Sequence, residues 1–145
     1  MRYLVALPML LGLGAAHSTA AAKNTCSNDM SFRADASLES AAGAWGSLLN
    51  HWRAYRSCDD GGVAEGYSDA VVVLLAHRWD QFDAFASLSK RNPAFRRWAI
   101  GHIDATTSND DLKKVVHNAA SCTGSATKKH LCVEIGRAAR DALKD

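Results

Sequence analysis

Apolar residues recur at intervals of three and four through most of this chain. Leu38, Ala41, Trp45, Leu48, Trp52 and Tyr55 fall on one face and predict a helix from Ser37 to Tyr55. Asp59-Asp60-Gly61-Gly62 is a turn by composition. Val63 to His77 reads as a largely buried helix around Val71 to Leu75, because Ala64, Ala70 and Ala76 flank the β-branched block and no partner strand is evident. A shorter helix from Trp79 or Asp80 to Ser89 places Phe82, Phe85 and Leu88 together. The next starts at Asn92-Pro93, the one helical position that welcomes proline, and carries Phe95, Trp98 and Ile103. Thr106 to Asn109 interrupts the pattern, Ser108 followed by Asp111 signals another start, and a last helix runs from about Lys128 to Leu143. The expected fold is all-α, a compact array of about five or six short helices.

The first residues have a different character. Arg2 supplies a positive start, Tyr3 to Ala16 are apolar or small, and Ser18, Ala20 and Ala22 offer two small-residue cleavage frames, which together predict a secretory signal over 1–22 and a single helical domain over 23–145. The apolar run falls short of the roughly 20 residues needed to span a bilayer and contains Pro8, so no stable membrane insertion is expected after cleavage. Export implies a periplasmic or secreted protein. Its four cysteines, Cys26, Cys58, Cys122 and Cys132, are then expected as disulfides. Three pairings are possible; Cys122 with Cys132 closes a short loop, and Cys26 with Cys58 ties a loose N-terminal arm to the end of the first helix.

Charge excludes one class of partner. The chain has 17 basic and 15 acidic residues, and loss of Arg2 with the leader brings the two counts closer still. A nucleic-acid binder needs a large basic excess, so nucleic acid is not an expected partner. No metal or other cofactor is expected either: the cysteine spacings do not suit a zinc cage, and neither a calcium loop nor an H-E-x-x-H run is present.

The most unusual stretch is Cys58 to Asp69, with four carboxylates, a phenol and a hydroxyl around one helix start. Asp59 and Asp60 suit the positive end of a helix dipole, and the glycines suit a turn and close packing. The functional reading is an acidic recognition surface in which Asp59, Asp60, Glu65 and Tyr67 meet a basic protein partner. Gly66-Tyr67-Ser68-Asp69-Ala70 lies one residue away from G-x-S-x-G, but no strand precedes Ser68. His102 and Asp104 are two apart, which does not bring them face to face on a helix; His102 is expected to serve a helix end. Lys90, Arg91, Arg96 and Arg97 beside Trp98 form either a solvated face or a docking patch for phosphate or carboxylate. The four tryptophans are expected in the core.

The run from Cys58 to Asp69, followed by Phe95, Gly101-His102-Ile103-Asp104, Cys122 and Cys132, resembles a pattern of small exported bacterial helical proteins without an assigned activity. At the level of class, the package of leader, length, helices and disulfides resembles the periplasmic immunity proteins that neutralise type VI amidase effectors. That resemblance implies a protein-binding module and no catalytic residue. Two other classes stay open. An envelope chaperone or assembly factor would expose an apolar groove, and a small hydrolase would bring Ser68 or His102 within hydrogen-bond reach of a catalytic partner.

Overall fold

A computed structural model describes residues 25–145; the expected leader lies outside them. The fold is a compact all-helical array: α1 (Asn28–Ala41), α2 (Trp45–Tyr55), α3 (Gly61–His77), α4 (Phe82–Arg91), α5 (Pro93–Gly101), α6 (Asn109–Ala120) and α7 (Ala126–Ala142). Short 3-10 turns at Arg56–Cys58 and Trp79–Gln81 follow α2 and precede α4. No strand occurs among the described residues.

The helices from α3 onward begin and end near their expected positions, whereas the single helix expected over Ser37–Tyr55 is two helices. Ser37 belongs to the end of α1, and the chain turns at Ala42–Ala44 before α2 begins. The apolar spacing runs in step across that turn, so periodicity alone gives no sign of it. The N-terminal arm is likewise helical rather than loose. Ser27 caps α1, its hydroxyl accepting from the Met30 amide, and Ala34, Leu38 and Ala41 are buried. Ser108 and Asn92 do precede α6 and α5, but neither side chain caps its helix. Asn92 instead accepts from Arg53 at 2.6 Å and donates to the Leu88 carbonyl at 3.0 Å.

Both expected disulfides form, Cys26 with Cys58 and Cys122 with Cys132. The first joins the start of α1 to the 3-10 turn after α2; the second joins the α6–α7 link to α7. Such bonds belong to an oxidising compartment. No helix among the described residues is long and apolar enough to cross a membrane.

The core is rich in aromatic rings. Trp45 and Trp52 are buried and pack on Phe85 and Phe95, with centroids 4.1 and 5.6 Å apart. Trp98 continues the column at 5.3 Å from Phe95, and Tyr67 meets it edge-on at 4.9 Å. Helices α1 and α3 approach closely at Gly66, where an added Cβ would lie 2.6 Å from Leu38 Cδ2. A side chain at that position would displace the end of Leu38 from between the two helices.

Candidate functional site

The residues singled out between Cys58 and Asp69 separate into an interior network and an outer face. Asp59 follows Cys58, whose disulfide fixes the chain at the mouth of α3. Its Oδ2 accepts from Trp98 Nε1 at 2.8 Å and lies 3.1 Å from His102 Nε2. The other ring nitrogen, His102 Nδ1, is 2.9 Å from Ser68 Oγ. Ser68 Oγ also donates to Asp104 Oδ2 at 2.7 Å, and Thr106 donates to Asp104 Oδ1 through its amide and hydroxyl. Burial works to raise the Asp104 pKa, but the hydrogen bonds from Thr106 and Ser68, with the nearby His102, outweigh it and hold the carboxyl below its ordinary value.

Ser68, His102 and Asp59 therefore converge, as a nucleophile, base and orienting carboxylate would. Two features separate this cluster from a working triad. Ser68 is only 2% exposed, so a substrate carbonyl has no approach to its oxygen. A hydroxyl also has a single proton, and a carboxylate is its strongest acceptor. With that proton on the Asp104 side, Ser68 does not donate to the imidazole. A nucleophilic serine needs its proton aimed at the imidazole.

Tyr67 is not an exposed contact. It is fully buried, because Val63, Tyr67, Val71 and Leu75 share the inner face of α3 at intervals of four. Its hydroxyl lies 2.8 Å from His51 Nδ1, and His51 Nε2 lies 3.0 Å from the Ala34 carbonyl and 3.0 Å from Ser37 Oγ. A carbonyl can only accept, so Nε2 carries the proton, Tyr67 donates to Nδ1, and the imidazole is neutral. Burial holds His51 below its ordinary pKa, against the opposing bond to Ala34. Burial, with Asp59 and Tyr55 adding to it, pushes the Tyr67 phenol well up. Asp59 is half-buried and turned toward Trp98 and His102, and Tyr67 offers no surface to a partner.

Asp60 and Glu65 are exposed as the recognition reading requires, although Asp60 also accepts from the Gly61 amide at 2.8 Å as the cap of α3. The structure adds Asp35 and Glu39, which the sequence did not single out, and joins them to Asp69 of the same acidic run. Asp35 and Glu39 of α1 and Asp69 of α3 line an open groove between the two helices, in two lobes of about 370 and 380 Å³. Asp35, Glu39, Asp60, Glu65 and Asp69 form no ion pair among the described residues, while most other carboxylates are paired or hydrogen-bonded. Phe32, 73% exposed, borders one lobe and Val73 the other. The i, i+4 spacing of Asp35 with Glu39, and of Glu65 with Asp69, is the signal in the sequence that points to this face.

No group of three or more metal-ligating side chains is present among the described residues. Comparison with known protein families, curated proteins and solved structures finds no match to this chain.

Proposed function

We propose that this chain is a periplasmic binding protein of the immunity or inhibitor type, which docks its α1–α3 face onto a basic surface of a toxin or cell-wall hydrolase. The observation that carries this reading is the set of five carboxylates without ionic partners on α1 and α3, of which Asp35, Glu39 and Asp69 line the groove between the two helices. Unpaired charge of one sign keeps a protein soluble and steers an oppositely charged partner, and Phe32 at the rim offers one large residue to bury on contact. The assembly-factor reading asks for a broad exposed apolar surface. Phe32, Val73 and Val133 are the large exposed hydrophobics among the described residues, and two of them border this acidic groove.

The test begins with a partner captured from periplasmic extract, or with the product of an adjacent toxin or hydrolase gene as bait. Asp35→Asn, Glu65→Gln and Asp69→Asn together should weaken binding by about threefold to a hundredfold, since rim charges contribute roughly 0.2–1 kcal/mol each. The salt dependence of the association rate should fall with it, and the helical signal should stay. Unchanged affinity and unchanged salt dependence would remove the α1–α3 face from the interface.

The convergence of Ser68, His102 and Asp59 favours a second reading, a small hydrolase. Labelling by a fluorophosphonate probe that is lost in Ser68→Ala would establish it. The burial of Ser68 and the direction of its proton predict no labelling.

A further inference from the structure

Helices α4, α5 and α7 enclose an open trough on a different part of the surface. One lobe, about 560 Å³, passes Arg97, Ile100, Arg137 and Ala138; the other, about 620 Å³, passes Ser89, Lys90, Lys128 and Leu131; Pro93 and Arg96 line both. Arg96 pairs with Glu134, and Lys128 pairs with Asp83. Asp141 also lines the first lobe, paired with Lys144 and close enough to Arg137 to feel its charge. Lys90 and Arg97 form neither ion pair nor hydrogen bond among the described residues, so the trough has cationic side chains to spare.

A second observation points to a ligand. Ser89 is 3% exposed, lines the trough, and its hydroxyl has no hydrogen-bond partner. Most buried hydroxyls are bonded, and this one meets no acceptor among the described residues, so a ligand group seated in the trough is a candidate to supply it. Pro93 opens α5 at the trough, and the Asn92 side chain is committed to Arg53 and Leu88 rather than to a cap. The positive end of the α5 dipole adds to the same sign of potential. Ile100, Ala138 and Leu131 give the trough apolar walls beside its charges.

We propose that this trough binds a small ligand bearing a carboxylate or phosphate group on an apolar body, with Ser89, Lys90 and Arg97 as its contacts. The two sources of the anionic group are separable by probe. Amide chemical shifts of the disulfide-intact protein are followed while sodium phosphate is added in one arm and N-acetyl-leucine in the other, at fixed ionic strength with chloride as the control. Saturable shifts centred on Ser89 to Arg97 are expected in at least one arm. Saturation by phosphate alone assigns a phosphate ligand, and saturation by N-acetyl-leucine alone assigns a carboxylate. The Lys90→Gln/Arg97→Gln variant, whose side chains hold nothing else in place, should bind about tenfold more weakly with its helical signal intact. Ser89→Ala should bind more weakly with a melting temperature unchanged or raised. Shifts that do not saturate, or an affinity equal to wild type in both variants, would overturn the proposal.

Discussion

Tyr67→Phe tests the interior network most directly, because it removes one oxygen atom from a fully buried residue and leaves the ring in place. The phenol donates to His51 Nδ1 at 2.8 Å, and the ring packs edge-on against Trp98. Without the hydroxyl, the Nδ1 lone pair is left in the interior with no donor. A buried polar group stripped of its partner costs about 1–3 kcal/mol, more than the roughly 1 kcal/mol that the bond itself contributes. The ring packing is kept, so no cavity term larger than a single oxygen adds to it. For a domain of this size the expected fall in melting temperature is roughly 3–10 °C.

His51→Leu leaves the phenol without its acceptor and should cost a similar amount, about 1–3 kcal/mol. The double variant has neither polar group. Its destabilisation should be smaller than the sum of the two by about 1 kcal/mol or more, since the loss of both partners avoids the orphan. Urea denaturation at pH 7.5 gives all three values. Strict additivity, or a Tyr67→Phe variant as stable as wild type, would refute the hydrogen bond and with it the structural role of Tyr67. Partner binding should be unaffected by Tyr67→Phe once stability is corrected for, which separates the buried phenol from the acidic face.

Stability should also depend on pH through His51. Its folded pKa lies below the ordinary 6.5, so as pH falls through 6.5 the unfolded chain takes up a proton that the folded chain refuses, and stability declines toward the folded pKa with a slope of at most about 1.4 kcal/mol per pH unit. His51→Leu should flatten that part of the curve when denaturation is repeated between pH 5 and 8. Asp104 acts in a separate window: its depressed pKa contributes stability above 3.8 that is lost as pH falls below that value, and Asp104→Asn should blunt the acid limb alone. Removing the Cys26–Cys58 bridge should cost about 4 kcal/mol against about 3 kcal/mol for Cys122–Cys132, because the first closes a separation of 32 residues and the second only 10; paired Cys→Ala variants under urea give the comparison. Ser68→Ala should cost about 1–3 kcal/mol by leaving Asp104 and His102 without their shared hydroxyl.

Much of the helical order was legible because α3 to α7 each carry a clear apolar face and a recognisable start. The break between α1 and α2 was not, since Leu38, Ala41, Trp45 and Leu48 keep one spacing across a turn that costs no periodicity. α1 itself was hidden by composition: only Ala34, Leu38 and Ala41 are buried over its length, and two of these are alanines with little hydrophobic signal. Tyr67 was misplaced for the opposite reason. Its acidic and glycine neighbours suggested a surface, although its interval of four from Val63 and from Val71 already put it on the inner face. The disulfide pairing followed from loop lengths and the expected positions of the helices, which survived the splitting of the first one.

The interior network was not legible, because its members are joined by the fold and not by the chain. His102 was read against Asp104, its neighbour in sequence, yet the carboxylate it touches is Asp59, 43 positions earlier, and it reaches Asp104 only through Ser68. These contacts hold the end of α5 to the body of α3 and to the 3-10 turn that the Cys26–Cys58 disulfide anchors to α1. That arrangement gives the network a mechanical consequence for the outer face. Asp60, the cap of α3, is the next residue after Asp59, and Glu65 and Asp69 follow on the same helix. A clamp on Asp59 thus fixes the direction in which α3 leaves the turn, while Leu38 packs closely over Gly66 between α1 and α3. Carboxylates steer a partner only if they are held in a constant pattern, and these five sit on two helices pinned by a disulfide at one end and by close packing along their length. The residues that look most like a catalytic set therefore serve the proposed docking face from beneath it.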